Sequence, residues 1–237
     1  IGKHHLQAVP RGVDEFRGLI GQGSYYSPRF VHNGDTLDAE PGYTSTLITD
    51  YVIEELKRNA GGDQPFCMLY WHKAPHRNWM PDTSDLPGLL DRRFPVPANL
   101  RDDYKGRPAA QHADMRIADM FTSHDLKVTG DYQYPDPGTG GAGFIKNPNF
   151  DQVKNTANQL GRLTPAQQKA WAPFLERVGK EWLEVKGTTD ELEWRYQRYM
   201  QDYIASVESV DRNVDRVLDY LDEAGLAENT IVIYTSD

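Results

Sequence analysis

Four side chains that carry positive charge or donate protons crowd the segment Leu69–Trp79, "LYWHKAPHRNW": His72, Lys73, His76 and Arg77. A polyanionic group is bound by charge-assisted hydrogen bonds, which histidine, lysine and arginine all donate. A histidine near its ordinary pKa can also protonate a leaving group. The segment therefore predicts an anion-binding turn, although a solvated turn after a strand has the same composition.

A second basic group and a lone carboxylate lie near the two ends of the sequence. Lys3, His4 and His5 stand in the stretch "GKHHLQ", and Asp237 directly follows the apolar run "IVIYTS". A carboxylate at the end of a strand is a frequent ligand of hard cations such as calcium. Taken alone, the first group is equally typical of a frayed basic terminus, and the carboxylate of an ordinary loop residue.

Apolar periodicity predicts two helices that would hold these residues in place. The first is expected at about 43–59, where apolar residues recur on one face and two glycines follow. The second is expected at about 192–224, with an apolar stripe at steps of three and four and Gly225 as its C-cap.

Short apolar runs predict buried strands at 66–72 and 230–236, with a further short strand at 29–32. Strand, helix and apolar strand in this order indicate an α/β fold, a mostly parallel sheet flanked by helices. In such sheets ligands collect beyond the carboxyl ends of the strands. His72 and His76 follow one such end and Asp237 another, so we expect the topology to bring them together.

The region 80–192 differs from the rest because it is rich in proline and glycine. Helical patches are expected at 108–124 and 164–185, and an evident loop, "YPDPGTGGAGF", at 134–144. A connection of this length often carries a binding surface. We therefore expect an irregular insertion that shapes a substrate pocket.

Tryptophans can stack on sugars or fill a core, and the sequence leaves both uses open for its five: Trp71, Trp79, Trp171, Trp182 and Trp194.

Composition limits the classes of function. The 237 residues carry a net charge of −9, which argues against a nucleic-acid partner. No apolar run has the length of a membrane span, about 18 residues. Cys67 is the single cysteine, so no internal disulfide forms, and its place in an apolar run predicts a small buried hydrophobe. The sequence has no initiator methionine or signal peptide and stops after an apolar run, so we expect an interior piece of a longer protein.

Three motifs in order resemble the sulfatases of the alkaline-phosphatase-like superfamily. "GKHHLQ" resembles the family signature Gly-Lys-Trp-His-Leu-Gly, with His4 and Gln7 as departures, and "QPFCMLYWHKAPHRNW" resembles its strand ending in His-Lys-x-Pro-His. "VDRNVDRVLDYLDEAGLAENTIVIYTSD" is similar to the helix–strand unit that leads to a metal motif. "HKAPHRNWMPD", "GRPAA" and "EWRYQRYMQDY" are similar to segments of bacterial N-acetylglucosamine-6-sulfatases and mucin-desulfating sulfatases. The chain would then be part of one sulfatase catalytic domain.

The resemblance implies a role for each matching residue. Lys3 would contact the sulfate and the catalytic hydroxyl, and His5 would help break down the sulfated intermediate. His76 would bind the sulfate and protonate the leaving oxygen, while Asp237 would be one carboxylate of a calcium site. His72 and Lys73 lie beside these residues, and Arg77 and Trp79 stand on the sugar side, so all four are candidates for substrate binding.

The reaction that the resemblance implies is hydrolysis of carbohydrate sulfate esters, in particular the 6-O-sulfate of N-acetylglucosamine in glycosaminoglycans or mucins. The family uses calcium and a formylglycine made from a Cys/Ser-x-Pro-x-Arg motif, and the sequence has no such motif. The expected partner is a sulfated glycan, and the expected location is the periplasm or outside the cell. A phosphodiesterase or phosphonate hydrolase of the same superfamily, or a glycan-binding relative without activity, remains an alternative.

The first prediction concerns calcium. This segment by itself is expected to bind calcium poorly and to be inactive, because one carboxylate cannot supply the about six to eight oxygens of a calcium shell. Isothermal titration of the isolated segment with calcium measures this directly. Tight, stoichiometric binding would contradict the prediction.

Overall fold

The computed structural model describes residues 1–6, 8–112, 116–130 and 151–236. The chain divides into two compact units. The first consists of Ile1–Pro75 with Val207–Asp237, and the second of His76–Ser206. The predicted loop at 134–144 and the predicted metal ligand Asp237 lie outside the described residues. No helix in the described ranges is both long and apolar enough to cross a membrane.

The helices agree closely with the apolar periodicity. Helix α1 is Thr44–Asn59, α2 is Pro108–Gln111, α3 is Gln152–Leu160, α4 is Pro165–Val185 and α5 is Glu191–Glu223. Short 3₁₀ turns lie at Leu89–Asp91, Ile117–Asp119 and Ala227–Asn229. The patch predicted at 108–124 is therefore helical only in two short pieces among its described residues. Elsewhere the expected helices α1, α4 and α5 are confirmed.

Local capping explains where two of these helices begin and end. Thr164 and Gln167 form a reciprocal capping box at the start of α4, and Pro165 occupies its first position. Gly225 lies two residues after the end of α5, and its φ of +67° suits glycine. The amide of Leu226 bonds the carbonyl of Leu221 at 2.8 Å, which completes a Schellman-type end.

The regular sheet has three short strands, β1 (Arg17–Leu19), β2 (Phe30–His32) and β3 (Asp35–Thr36), in that order. Both pairs are antiparallel, with Gly18 opposite Val31 and His32 opposite Asp35. Asn33 and Gly34 connect β2 to β3 with φ values of +50° and +108°. Positive φ at both turn residues is what a two-residue hairpin requires, and Asn-Gly is the sequence that best provides it.

Parallel pairing occurs around Gly2, which lies between two other segments. It forms parallel bridges with Gly18 on one side and Trp71 on the other. The amide of Gly2 bonds the Arg17 carbonyl at 2.8 Å, and the Lys3 amide bonds the Trp71 carbonyl at 2.9 Å. The first residues of the chain thus extend the antiparallel sheet by a parallel neighbour.

The two strands predicted to be buried are not regular strands in the structure. Residues 66–72 form only the bridge at Trp71, and 230–236 pair with no other segment that the structure describes. Most of their apolar side chains are exposed, while Met68 and Tyr70 pack partly buried against the core. The exposed ones are Phe66, Leu69, Ile231, Val232, Ile233 and Tyr234. Cys67 is also exposed, so its prediction as a buried hydrophobe is wrong. An apolar run becomes a buried strand only when neighbours complete its hydrogen bonds and cover its faces.

The core of the first unit lies on the two sides of α1. On one side Ile48 packs with Leu19 and Phe30 of the sheet. On the other, Val52 and Leu56 pack with Leu221 near the end of α5. Because α1 contacts both elements, it joins the sheet to the carboxyl-terminal part of α5.

The second unit is built around α4 and α5. Trp171 and Trp182 of α4 are buried, and Trp182 lies 5.4 Å from the ring of Trp194 in α5. Arg198 of α5 is 1% exposed, and its guanidinium lies 5.1 Å from the ring of Phe174. Gln201 donates to the carbonyl of Arg92 at 2.9 Å, which ties the segment before α2 to α5.

The second prediction tests the close backbone approach at Gly2. A Cβ there would lie 1.9 Å from the Trp71 carbonyl oxygen, and the φ of +113° strains any other residue. Gly2→Ala is expected to lower the free energy of unfolding by about 3 kcal/mol or more. The matched control is Gly21→Ala, since Gly21 has a φ of +59° but no atom within 4 Å of its added Cβ.

Gly21→Ala should cost only the backbone strain, about 1 kcal/mol. Chemical denaturation of the two variants and the parent protein gives both values. Equal losses at the two positions would show that the contact with Trp71 carries no energy.

Candidate active site

Three of the predicted residues come together in the first unit because the parallel pairing around Gly2 sets their register. With Gly2 opposite Trp71, Lys3 stands beside His72 and Lys73 along the neighbouring segment. Lys3 is close enough to Lys73 for its charge to lower the Lys73 pKa. The predicted sulfate-contacting lysine and two candidate substrate-binding residues thus occupy one place in the fold.

Lys73 is a buried cation. It is 4% exposed, and its ammonium lies 5.3 Å from the centre of the Tyr25 ring. Burial and then the like charge of Lys3 lower the pKa of Lys73 to about 8. Because it has lost most of its hydration, this ammonium would interact strongly with an anion brought close to it.

His72 supplies no charge at neutral pH. Burial lowers the pKa of its imidazole to about 4, so the ring is neutral there. The ring lies 4.3 Å from that of Tyr70, whose hydroxyl is hydrogen-bonded to Thr49 at 2.5 Å. Neither ring nitrogen of His72 has a hydrogen-bond partner among the described residues. A buried neutral imidazole in this state can donate to or accept from a group brought to it.

The two histidines after Lys3 have different environments. His4, where the family signature has tryptophan, packs its ring edge-on against Phe16 at 5.1 Å. Partial burial, followed by the positive charges around it, lowers the His4 pKa. His5 is exposed. His4 therefore makes an aromatic packing contact with Phe16.

In the second unit, the turn 76–79 presents His76 at the surface. The Nδ1–H of His76 donates to the backbone carbonyl of Arg77. This bond selects the tautomer in which Nδ1 carries the hydrogen and places Nε2 as the nitrogen that exchanges a proton.

Arg77 contacts an internal carboxylate. Its Nε donates to Oδ1 of Asp125 at 2.6 Å and its Nη2 to Oδ2, a two-pronged pairing. The Asp125 side chain is fully buried and the Arg77 side chain is 10% exposed. The Phe121 ring lies 5.4 Å from the same guanidinium.

Trp79 belongs to an aromatic group on the second unit. Its ring lies edge-on to Tyr199 at 4.9 Å, and Tyr199 stacks with Tyr203 at 5.6 Å. Burial and the neighbouring tyrosines raise the pKa of Tyr199. All three rings are partly exposed, so the group presents aromatic surface while packing on α5.

The residues that the structure describes do not form a calcium site. They contain no group of three or more histidine, cysteine, aspartate or glutamate side chains arranged to hold a metal. Asp237, the metal ligand that the resemblance implies, lies outside them.

The chain belongs to the sulfatase family, whose family model, described as Sulfatase, matches residues 2–237. The chain is 38% identical, over its whole length, to the N-acetylglucosamine-6-O-sulfatase of Bacteroides thetaiotaomicron. It is 47% identical, again over its whole length, to an uncharacterized sulfatase of Schizosaccharomyces pombe. It spans 41% of the first relative and 37% of the second.

A solved structure also matches the chain. BT4656, in complex with its substrate D-glucosamine-2-N,6-O-disulfate, matches the chain with a TM-score of 0.81 and 36% identity. The match covers 97% of this chain and 44% of that one. The expected α/β class with an incomplete sulfatase core is therefore confirmed, although the regular strands described here are antiparallel.

Sequence reasoning missed Asp125, the buried partner of Arg77. The carboxylate lies 48 residues from Arg77 along the chain, inside the region expected to be an irregular insertion. Its neighbours "TSHDLKV" contain a histidine and a lysine, but no spacing in them matches the "HRNW" turn. A contact of this kind follows from the tertiary fold alone.

The third prediction concerns stability at low pH. The unfolded chain binds a proton at His72 below about pH 6.5, whereas the folded chain, with a pKa of about 4, does not. The free energy of unfolding is therefore expected to fall as the pH drops from 6.5 to about 4. His72→Phe should remove on the order of 3 kcal/mol of this loss.

Denaturant unfolding at a series of pH values, for the parent and the variant, measures the difference. His5→Phe is the control, because it removes an exposed imidazole instead of a buried one. Parallel pH profiles for the parent and His72→Phe would refute the prediction.

Proposed function

We propose that the protein to which this chain belongs hydrolyses sulfate esters on carbohydrates, with the 6-O-sulfate of N-acetylglucosamine as its specific substrate. The observation that carries the proposal is the 38% identity, over the whole chain, to an N-acetylglucosamine-6-O-sulfatase. The substrate in the BT4656 structure, D-glucosamine-2-N,6-O-disulfate, carries a sulfate at the same position. Mucin and glycosaminoglycan chains are the glycans in which such an ester would be met.

The geometry of the first unit supports binding of a sulfate. Sulfate esters resist attack because their oxygens carry negative charge, and fixed cations offset that charge as it moves to the leaving oxygen. Lys3 and the desolvated Lys73 would supply positive charge at one place. The neutral His72 would add a hydrogen bond without adding charge.

The remaining roles follow the family motif. His5 would assist breakdown of the sulfated intermediate, and His76 would protonate the sugar oxygen as the S–O bond breaks. Trp79 would present an aromatic face to the sugar, a use that its partly exposed ring allows. Arg77 would also stand on the sugar side by its position in the motif.

The whole protein would hold one sulfatase catalytic domain, with the region 80–192 shaping its substrate pocket. Formylglycine and calcium are proposed for the full-length protein, with Asp237 as a calcium ligand. A periplasmic or secreted location would fit a glycan substrate. These proposals rest on the family that the chain belongs to.

The fourth prediction tests the activity. The full-length protein, matured with its formylglycine, should release free sulfate from 6-O-sulfated N-acetylglucosamine. His76→Ala should reduce kcat by about 10²-fold or more, because proton donation to a poor leaving group contributes that much. Ion chromatography of released sulfate measures both.

A phosphodiester incubated in parallel distinguishes the rival activity. Its cleavage without sulfate release would move the protein to the phosphodiesterases of the same superfamily. No reaction with either ester, from matured protein that still binds the sulfated sugar, would favour a glycan-binding protein. Thr129→Ala, a substitution outside the motifs, is the control. Prepared in the same way, it should release sulfate as the parent does.

A further inference from the structure

Asp125 is a fully buried carboxylate that the proposed reaction does not use. Both of its oxygens are engaged by hydrogen-bond donors. Arg77 donates to both from Nε and Nη2, and the amide of Phe121 donates to Oδ2 at 2.8 Å. A buried charge is stable only when it is paired and hydrogen-bonded, so this carboxylate fixes the groups around it.

A second contact joins the same two segments. The side-chain amide of Asn78 donates to the carbonyl of His124 at 2.9 Å, and Asn78 is buried. The turn 76–79 is thus attached to the loop 121–128 at two successive residues, Arg77 and Asn78. Two adjacent attachments restrain both the position and the rotation of the turn.

The loop is in turn held by α5 of the same unit. Lys127 donates from Nζ to the carbonyl of Asp125 at 2.8 Å and lies 3.4 Å from Asp202. Arg198 donates to the other oxygen of Asp202 at 2.8 Å. Lys127, Asp202 and Arg198 are each at most 1% exposed. The support therefore runs from a long helix through a buried charge network to the turn.

The connection reaches His76 through the backbone of Arg77. The Arg77 side chain is fixed by Asp125, and the Arg77 carbonyl accepts the Nδ1–H of His76. A rotation of the turn that moves this carbonyl breaks the hydrogen bond from Nδ1 of His76. The imidazole then no longer has a fixed tautomer and orientation. The placement of Nε2, the proton-exchanging nitrogen, depends on that carbonyl.

We propose that Asp125 is a positioning residue for His76, acting through the side chain and carbonyl of Arg77. This inference rests on the proposed sulfatase function, because only in that reaction does His76 protonate a leaving oxygen. It also gives Arg77 a different role. Two of its nitrogens bind Asp125, so Arg77 supports the turn and does not make the sugar contact expected from the sequence. No bond to Asp125 changes during the reaction. The proton moves from Nε2 of the imidazolium form of His76 to the leaving oxygen, and this leaves the neutral ring with its hydrogen on Nδ1.

The fifth prediction uses two substrates that differ in their need for a proton. The hydroxyl oxygen of a sugar is a poor leaving group and needs the proton from His76, whereas the nitrophenolate of 4-nitrophenyl sulfate leaves without a proton. Asp125→Asn keeps the shape but turns an N–H₂ donor toward the Arg77 fork. In the matured full-length protein, kcat on the 6-sulfated sugar should fall about 10- to 100-fold. KM and the rate on 4-nitrophenyl sulfate should change less than about threefold.

Three further variants make the comparison specific. His76→Ala should show the same selective loss on the sugar ester. Arg77→Lys, which keeps the charge but not the fork, should show it in part and serves if Asp125→Asn fails to fold. Glu191→Gln is the control, because it removes a carboxylate that pairs with a different arginine of the same unit. The Nε of Arg195 lies 2.7 Å from the Glu191 carboxylate. This variant should leave both rates near those of the parent.

An equal fall on both substrates for Asp125→Asn would overturn the proposal, since it would indicate general loss of structure. An unchanged rate on the sugar ester, with His76→Ala inactive, would also overturn it while leaving the sulfatase function intact. A parent protein that releases sulfate from neither ester would refute the proposed function instead.

A measurement without turnover tests the positioning by itself. In ¹H–¹⁵N spectra of the imidazoles, His76 of the parent should show the tautomer with hydrogen on Nδ1. Asp125→Asn should give a mixture of tautomers, and Glu191→Gln should not. An unchanged Nδ1–H tautomer in Asp125→Asn would overturn the proposal whatever the enzyme's activity.

Discussion

The candidate sulfate-binding site at Lys3, His72 and Lys73 depends on a backbone contact that only glycine allows. At Gly2 the carbonyl oxygen of Trp71 lies where a Cβ would be, 1.9 Å from that position. The absent side chain lets the two segments exchange hydrogen bonds in parallel, while Arg17 and Leu19 bond the other edge of Gly2. That register places Lys3 beside His72 and Lys73. Gly2 and Lys3 are thus one structural unit, in which the glycine sets the position of the lysine.

Burial then decides what each of these side chains contributes. Lys73 and His72 are both removed from water, but the effects differ because their ordinary pKa values differ. Lys73, with a pKa of about 8, stays largely protonated at neutral pH, whereas His72, at about 4, is neutral. Sequence composition suggested four cationic or proton-donating groups acting together. In the first unit the structure provides a desolvated cation, Lys73, beside a neutral imidazole, His72. His76 and Arg77 belong to the second unit.

The helices could be predicted from sequence because their signal is local. The apolar stripes of α1 and α5 repeat over many turns, and Gly225 marks the end of α5 with a conformation that few other residues adopt. Residues 66–72 and 230–236 were mispredicted as buried because an apolar run does not reveal which segments flank it. Lys3, His72 and Lys73 were expected to be site residues because they match the family motif, but the register that places them side by side comes from pairing across 69 residues, between Gly2 and Trp71.

The pairing of Arg77 with Asp125 was beyond sequence reasoning for the same reason, and it changes how the region 80–192 is understood. A pocket-shaping insertion would be free to vary in position relative to the turn before it. Here Asn78 and Arg77 attach that turn to residues 124 and 125, and Lys127 ties the same loop to α5. The burial of Asp125, Lys127 and Asp202 makes each of these contacts costly to break singly. On the proposed function, the region would therefore serve both the sugar pocket and His76, because the buried charges of Asp125 and Lys127 lie within it.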